Sequence, residues 1–217
     1  MYVAIEGVIG VGKTSLARLL QPSFDANLLL EVFEENPFLS NFYQDRNRYA
    51  FQTQMFFLLS RYHQQRRAVP EMLATSKPLI SDYTFEKDAL FARNTLEGDE
   101  LEMYYRLHEA LAEKIPLPDL TVYLRASTDM LMHRITMRDR PYERSMDRAY
   151  IETINVAYDE HFMQPDEKRE VLVIDSNELD FVKNLEDLKW IENRIRQRLQ
   201  LAPFQPELPI QETENKL

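Results

Sequence analysis

Cysteine is absent from this sequence, tryptophan occurs once, and only 4 of its 217 residues are glycine. Ordinary usage would supply roughly 15 glycines at this length. The lack of cysteine excludes disulfides, iron–sulfur clusters, thiolate zinc sites and cysteine nucleophiles, and it suits a reducing compartment such as the cytoplasm. Long hydrophobic runs are also missing. The longest wholly apolar stretch, Met55 to Leu59, falls far short of the ~20 residues of a membrane span. Val3-Ala4-Ile5 is followed at once by Glu6 and Gly7, so no signal peptide is expected at the N-terminus. Positive charge is in deficit: 26 Lys and Arg face 36 Asp and Glu, a net charge of −10. That balance argues against a general nucleic-acid surface but leaves room for a local phosphate site.

What is present is a globular composition, 44% hydrophobic and 29% charged, at a length that suits one domain with a core of its own. Short β-rich runs, Tyr2–Glu6, Asn27–Phe33, Pro78–Tyr83, Leu120–Ala126 and Val171–Asp175, alternate with longer helical patterns. The apolar centres of these runs do not alternate with polar residues, as in strands covered on both faces. Helices are expected at about 13–21, 47–69, 86–94, 99–114, 127–138 and 147–163. A C-terminal amphipathic helix follows at 182–199, carried by Val182, Leu185, Leu188, Ile191, Ile195 and Leu199. The βαβα order predicts an α/β fold, a five-stranded parallel sheet with helices on both faces. The domain is expected over residues 1–201, with a Pro-containing tail from Ala202 onward.

Three of the four glycines fall within six positions. Gly7-Val8-Ile9-Gly10-Val11-Gly12-Lys13-Thr14 matches the P-loop pattern G-x-x-x-x-G-K-[ST]. A glycine-rich loop before a helix N-terminus turns successive N–H groups toward phosphate oxygens. Gly7, Gly10, Val11, Gly12, Lys13, Thr14 and Ser15 are therefore the expected ATP-binding set, Lys13 reaching the β- and γ-phosphates and Thr14 ligating Mg²⁺. Neither the N-K-x-D and D-x-x-G pair of a switch GTPase nor the apolar Asp-Glu strand of a motor ATPase is present. A phosphotransferase with a closing lid remains. The lid candidate spans about residues 134–148, with His133 to Glu143 as its centre, and there Arg134, Arg138, Arg140, Arg144 and Arg148 gather in an otherwise acidic chain. Arg134 and Arg138, one helical turn apart, are also expected to bind ATP, since forked guanidiniums suit a transferring phosphate. The alternative is a solvated helix paired to Asp139, Glu143 and Asp147. Two carboxylates, Glu31 and Asp82, stand at the ends of the second and third expected strands, where ligands of parallel sheets bind. They could divide into a general base and a metal-side group, Thr14 and Asp82 being the expected metal residues.

With these residues in view, the chain resembles the deoxynucleoside kinases over about residues 1–200, especially their bacterial deoxyguanosine and deoxyadenosine branches. The markers are the P-loop, the E-x-x-E-x-N-P-[FY] segment at Glu31–Phe38, Tyr43, the stretch Phe51–Arg61, the segment Asp82–Phe91 and the R-x-R-x-x-E lid at Arg138–Glu143. The resemblance implies that Glu31 takes the proton of a nucleoside 5′-OH as it attacks the γ-phosphate of ATP. It implies that Tyr43 and Glu143 hold the sugar 3′-OH and that Gln54 bonds the edge of the base. Arg61 and Asp88 match further base-reading charges. Gln54 and Arg61 lie seven apart and share a helix face. Of the neighbouring aromatics Phe51, Phe56, Phe57, Phe85 and Phe91, one or two at most are expected at the base.

The sequence departs from the family at one place. An Arg commonly follows the strand-three acid, whereas here Asp82 is followed by Tyr83-Thr84-Phe85-Glu86-Lys87-Asp88. Lys87 could supply the missing cation or be a surface lysine. The D-Y-x-x-x-K spacing resembles the deoxyguanosine branch, and Asp88-Ala89-Leu90-Phe91 the deoxyadenosine branch, so the preferred purine stays open. The expected activity is ATP- and Mg²⁺-dependent 5′-phosphorylation of a purine deoxynucleoside in nucleotide salvage, with Glu31, Lys13, Arg138, Arg140, Asp82 and Lys87 catalytic. A nucleoside monophosphate kinase and a non-catalytic ATP-binding partner subunit are the alternatives. No nucleic acid or membrane partner is expected, and the resemblance implies a homodimer or a dimer with a paralogous subunit.

Overall fold

A computed structural model describes residues 1–32, 35–144 and 146–203. Five strands form one sheet in the order β2-β3-β1-β4-β5, and every adjacent pair is parallel. They are β1 (Tyr2–Glu6), β2 (Asn27–Leu29), β3 (Leu79–Ser81), β4 (Leu120–Arg125) and β5 (Val171–Asp175). Between and after them run α1 (Lys13–Phe24), α2 (Leu39–Gln44), α3 (Arg46–Leu73), α4 (Lys87–Arg93), α5 (Gly98–Ala112), α6 (Thr128–Arg138), α7 (Arg148–Phe162) and α8 (Leu185–Arg198). A 3₁₀ turn, Pro141–Glu143, follows α6. The expected sheet of five parallel strands with flanking helices is therefore the observed one. The chain crosses from β3 to β4 over β1, so β1 sits where the crossovers change direction, the position at which such sheets bind ligands.

β1 and β4 are buried almost throughout, as their unbroken apolar runs require. β5 is different. It is an edge strand, its residues alternate in burial, and Val173 is exposed, so only one face is covered. β2 is also shorter than the expected 27–33. After Leu29 the backbone leaves the sheet, and the Glu31 N–H is taken by the Asp82 carboxylate at 2.7 Å.

Two helices run through prolines at which they were expected to stop. α1 continues past Pro22 and α3 past Pro70, both in a last turn. A proline there forfeits one N–H donor but keeps its carbonyl, which accepts from Asp25 N in one case and Ala74 N in the other. The short helix α2 has no counterpart among the expected elements. α8 begins at Leu185 rather than 182, and both Val182 and Leu185 are exposed despite their helical spacing. From residue 204 on, the expected tail lies outside the described residues. No helix among the described residues is long and apolar enough to cross a membrane.

The three clustered glycines are fixed by packing as well as by phosphate geometry. Gly7 has φ +147°, and a Cβ there would lie 2.4 Å from the Leu124 carbonyl oxygen of β4. Gly98, at φ +53°, has open space around it. Gly7→Ala is therefore expected to cost roughly 2–4 kcal/mol in urea unfolding, and Gly98→Ala only about 1 kcal/mol. Equal losses in the two variants would show that the contact with β4 is not the constraint.

Candidate active site

The phosphate loop leaves β1 and enters α1 at Lys13, with Gly12 in a left-handed conformation as the helix cap. Lys13 Nζ donates to the carbonyls of Gly7 at 2.7 Å and Val8 at 3.3 Å. Burial, helped by the nearby Lys87 charge, pulls its pKa down to about 8 against the opposing pull of Glu6, Glu31 and Asp82. The Thr14 hydroxyl donates to Asp82 Oδ2 at 2.5 Å, while Asp82 Oδ1 accepts the Glu31 N–H. One carboxylate thus joins the start of α1 to the chain leaving β2. Thr14 and Ser15 are exposed to the cleft that runs over the loop between α1, α6 and the turn 177–183.

The five arginines of the lid region have separate fates. Arg134 donates to the carbonyls of Val11, Ser176 and Leu179 and to the Ser176 hydroxyl, bracing α6 against the phosphate loop and the turn after β5. Arg138 forks onto Glu143, Nη2 lying 2.6 and 2.5 Å from its two oxygens, and Arg140 Nη1 stands 3.6 Å from the same group. Arg138 and Arg140 line both the phosphate-side cleft and a second cleft toward α2 and α3. Arg144 and Arg148 are exposed and paired to Asp139 and to Asp129 and Glu152. For these two, the solvated-helix alternative describes the structure.

The second cleft brings together the residues expected on the acceptor side: Glu31, Tyr43, Gln54, Arg61, Lys87 and Glu143 all line it. Glu31 accepts from Arg61 Nε at 3.0 Å and from Lys87 Nζ at 2.6 Å. Burial alone would push its pKa up, but the two cations outweigh it and hold the carboxyl well below the usual range. Lys87 is 5% exposed, so it is not a surface lysine. Tyr83, in the place of the family's arginine, packs in a core cluster with Tyr2, Leu29, Val69 and Leu79, and its hydroxyl donates to Gln64. The cation beside Glu31 comes instead from the first turn of α4.

Arg61 also pairs with Asp88, whose side chain is fully buried. Among the residues lining the cleft Arg61 is present and Asp88 is not, so Asp88 stands behind the wall on which it was expected. Tyr43 stacks nearly parallel on Tyr142 at 6.2 Å between centroids, and burial raises its phenol pKa well above the ordinary value, with Glu143 among the nearby charges adding to the shift. Phe57 and Phe91 reach the cleft, while Phe51, Phe56 and Phe85 do not line it; Phe85 stacks on His108. Residues without a signal in the sequence complete the walls, among them Tyr142, Tyr150 and Tyr158. Glu6 was also missed. Fully buried at the end of β1, it accepts from Gly7 N at 3.1 Å, Thr84 N at 2.5 Å, Thr84 Oγ1 at 3.0 Å and the Tyr158 hydroxyl at 3.4 Å. An acid closing an apolar strand was the available clue.

The sequence pattern of the family described as deoxynucleoside kinase matches residues 3–200. This chain belongs to the deoxynucleoside kinase family. It is 35% identical to a deoxyguanosine kinase of Bacillus subtilis over 90% of this chain and 96% of that one. It is 31% identical to a deoxyadenosine kinase of Dictyostelium discoideum, over 83% of this chain and 74% of that one. Among solved structures, the deoxyadenosine kinase of M. mycoides with bound dCTP superposes with a TM-score of 0.78 at 26% identity, covering 91% of this chain and 100% of that one. As a member of this family the protein is a phosphotransferase.

The Glu31 pairing makes stability depend on acid. A carboxyl held below its unfolded value stabilises the fold above the unfolded pKa, and the contribution disappears as pH falls toward the folded value. Lys87→Met removes one of the two cations, leaving Glu31 with Arg61. Urea unfolding should show a loss of about 2 kcal/mol at pH 7 that narrows as pH falls from about 4.3 toward 2. A gap that is independent of pH would remove Glu31 as its cause.

Proposed function

We propose that this deoxynucleoside kinase transfers the γ-phosphate of ATP to the 5′-hydroxyl of a purine 2′-deoxynucleoside, a salvage step. The observation that carries the reading is the position of Glu31. Its ionised carboxylate lies in the acceptor cleft, within a pair of cations, and its own backbone N–H is bonded to the Asp82 carboxylate that also holds Thr14. The acceptor and donor halves meet at this point.

Glu31 accepts the hydroxyl proton as oxygen attacks phosphorus. In a loose phosphoryl-transfer transition state that proton moves late, so a fixed and always ionised acceptor matters more than high basicity. Lys13, Arg138 and Arg140 take up charge on the phosphate oxygens. The paired oxygens of Thr14 and Asp82 suit Mg²⁺, which takes few protein ligands and fills its remaining positions from phosphates and water. Bound there, Mg²⁺ would neutralise charge between the β- and γ-phosphates. Tyr43 and Glu143 are assigned to the sugar 3′-OH and Gln54 to the base.

A nucleoside monophosphate kinase would need a second phosphate clamp in the acceptor cleft. The cations nearest Glu31 there, Arg61 and Lys87, are both bonded to Glu31, which disfavours that reading. The same pairing supplies the positive charge that Tyr83 cannot, which disfavours a partner subunit without chemistry. The matched span 3–200 supports residues 1–201 as one catalytic unit. A dimeric, cytoplasmic enzyme remains part of the proposal. Leu59 on α3 and Met103 on α5, helices that pack together, both expose apolar side chains that a second copy could cover.

Glu31→Gln should lower kcat by about 10²–10⁴-fold in assays with ATP and the four deoxynucleosides, with the nucleoside Kd little changed. A near-normal kcat would end the assignment of Glu31 as base, and phosphorylation of monophosphates alone would end the whole reading. A second consequence concerns Lys13. Phosphates favour its charged form, so MgATP binding should take up a proton once pH exceeds about 8. Affinity should then fall by up to about tenfold per pH unit above that value. Calorimetry at pH 9 in buffers of different ionisation enthalpy reads the uptake directly, and the absence of uptake would contradict the placement of Lys13 on phosphate.

A further inference from the structure

One side chain in the acceptor cleft presents an edge whose hydrogen-bonding polarity depends on which way round it is held. Gln54, on α3, is buried and lines the cleft. Its Nε2 donates to Thr95 Oγ1 at 3.1 Å, and the Thr95 hydroxyl donates to the Phe91 carbonyl at 2.7 Å. The direction of this relay is set at its far end, because a backbone carbonyl only accepts. With its proton committed to Phe91, the Thr95 oxygen is left as an acceptor, and only the NH₂ end of the Gln54 amide satisfies it. The amide oxygen and the second N–H keep fixed places relative to the cleft.

That orientation matters for a purine. Adenine offers a donor at its 6-position and an acceptor at N1; guanine offers the reverse, an acceptor at O6 and a donor at N1. For a base held in one place, a given amide orientation forms two hydrogen bonds with one purine and sets like against like with the other. An amide free to turn over would serve both. Arg61, which also lines the cleft, is bonded to Glu31 and Asp88, and the edge of Gln54 is a neutral donor–acceptor pair that can distinguish the two.

We propose that Thr95 is a positioning residue for base specificity: by locking the Gln54 amide it makes the enzyme choose between deoxyguanosine and deoxyadenosine. The inference rests on the reading that Gln54 meets the edge of the base. Thr95 lies 41 residues from Gln54, in the turn that ends α4, and reaches it because α3 and α4 pack together.

The test is the ratio of kcat/KM for the two purine deoxynucleosides in the wild type, Thr95→Val and Thr95→Ser, with melting temperatures as a check on folding. The wild type should prefer one purine. In Thr95→Val the ratio should move toward unity by about tenfold or more, mainly through KM, while kcat at saturation changes by less than roughly threefold. Thr95→Ser keeps the hydroxyl and should keep the wild-type ratio. Thr95→Ala asks the same question should the valine variant fail to fold. A role in packing alone would weaken both substrates alike, and an unchanged ratio in Thr95→Val overturns the proposal. So does a wild type that uses both purines equally well. A wild type that phosphorylates no deoxynucleoside would instead overturn the proposed function itself.

Discussion

Negative charge buried at the ends of the strands is the constraint around which this site is organised. Glu6 closes β1, and Glu31 and Asp82 follow β2 and β3 by two residues and one, all largely removed from water. An ionised carboxylate in such a place must be paired or hydrogen-bonded, or the fold loses several kcal/mol. Each is satisfied differently. Glu6 receives backbone N–H groups and hydroxyls, and Asp82 receives the Thr14 hydroxyl and the Glu31 N–H. Glu31 alone is given two cations. The partners reach in from α1, α3, α4 and α7, so the contacts that satisfy the carboxylates also tie four helices to the ends of the strands.

The choice of partner has a chemical consequence. Hydrogen bonds from neutral groups orient a carboxylate, whereas the two cations beside Glu31 also hold its carboxyl below the usual range. Lys87 and Tyr83 show how one substitution in sequence is absorbed in space. Tyr83 takes the arginine position of the family and fills a core cluster instead, while Lys87, four residues further along at the start of α4, brings a charge to the Glu31 carboxylate.

Features that are contiguous in the chain were legible from the sequence. The P-loop is a pattern of eight consecutive residues whose backbone requirement is written in glycine, and the βαβ alternation follows from local periodicity. Contacts made across the fold were visible only as residue types without partners. Lys87 could be read as buried cation or surface lysine until it met Glu31, 56 positions earlier. Asp88 matched a base-reading position, yet Arg61 draws it behind the cleft wall. Arg134 and Arg138 share a helix face, but the first is bound by backbone carbonyls that no pattern announces. Val182 and Leu185 kept helical spacing and still point to water, because periodicity shows which residues share a face and not whether anything covers it.

The scarcity of glycine ends in a statement about rigidity. A Cβ at Gly7 would strike β4, one at Gly10 would lie 2.7 Å from Ile135 of α6, and one at Gly12 would lie 2.9 Å from the Phe181 ring. The phosphate loop is therefore pressed against the sheet, α6 and the turn after β5 at once, and Arg134 on α6 ties that helix to the loop and to the same turn. The start of the proposed lid is thereby tied to the loop. Its far end has no such packing of glycine against backbone: Arg138 and Arg140 are held by the carboxylate of Glu143, which is also a wall of the acceptor cleft. On the proposed assignment, a substrate hydroxyl that bonds Glu143 competes with Arg138 for the same two oxygens. Acceptor contacts and the arginines assigned to the donor phosphates would then share one carboxylate, and the geometry of each half would be conditioned by the other.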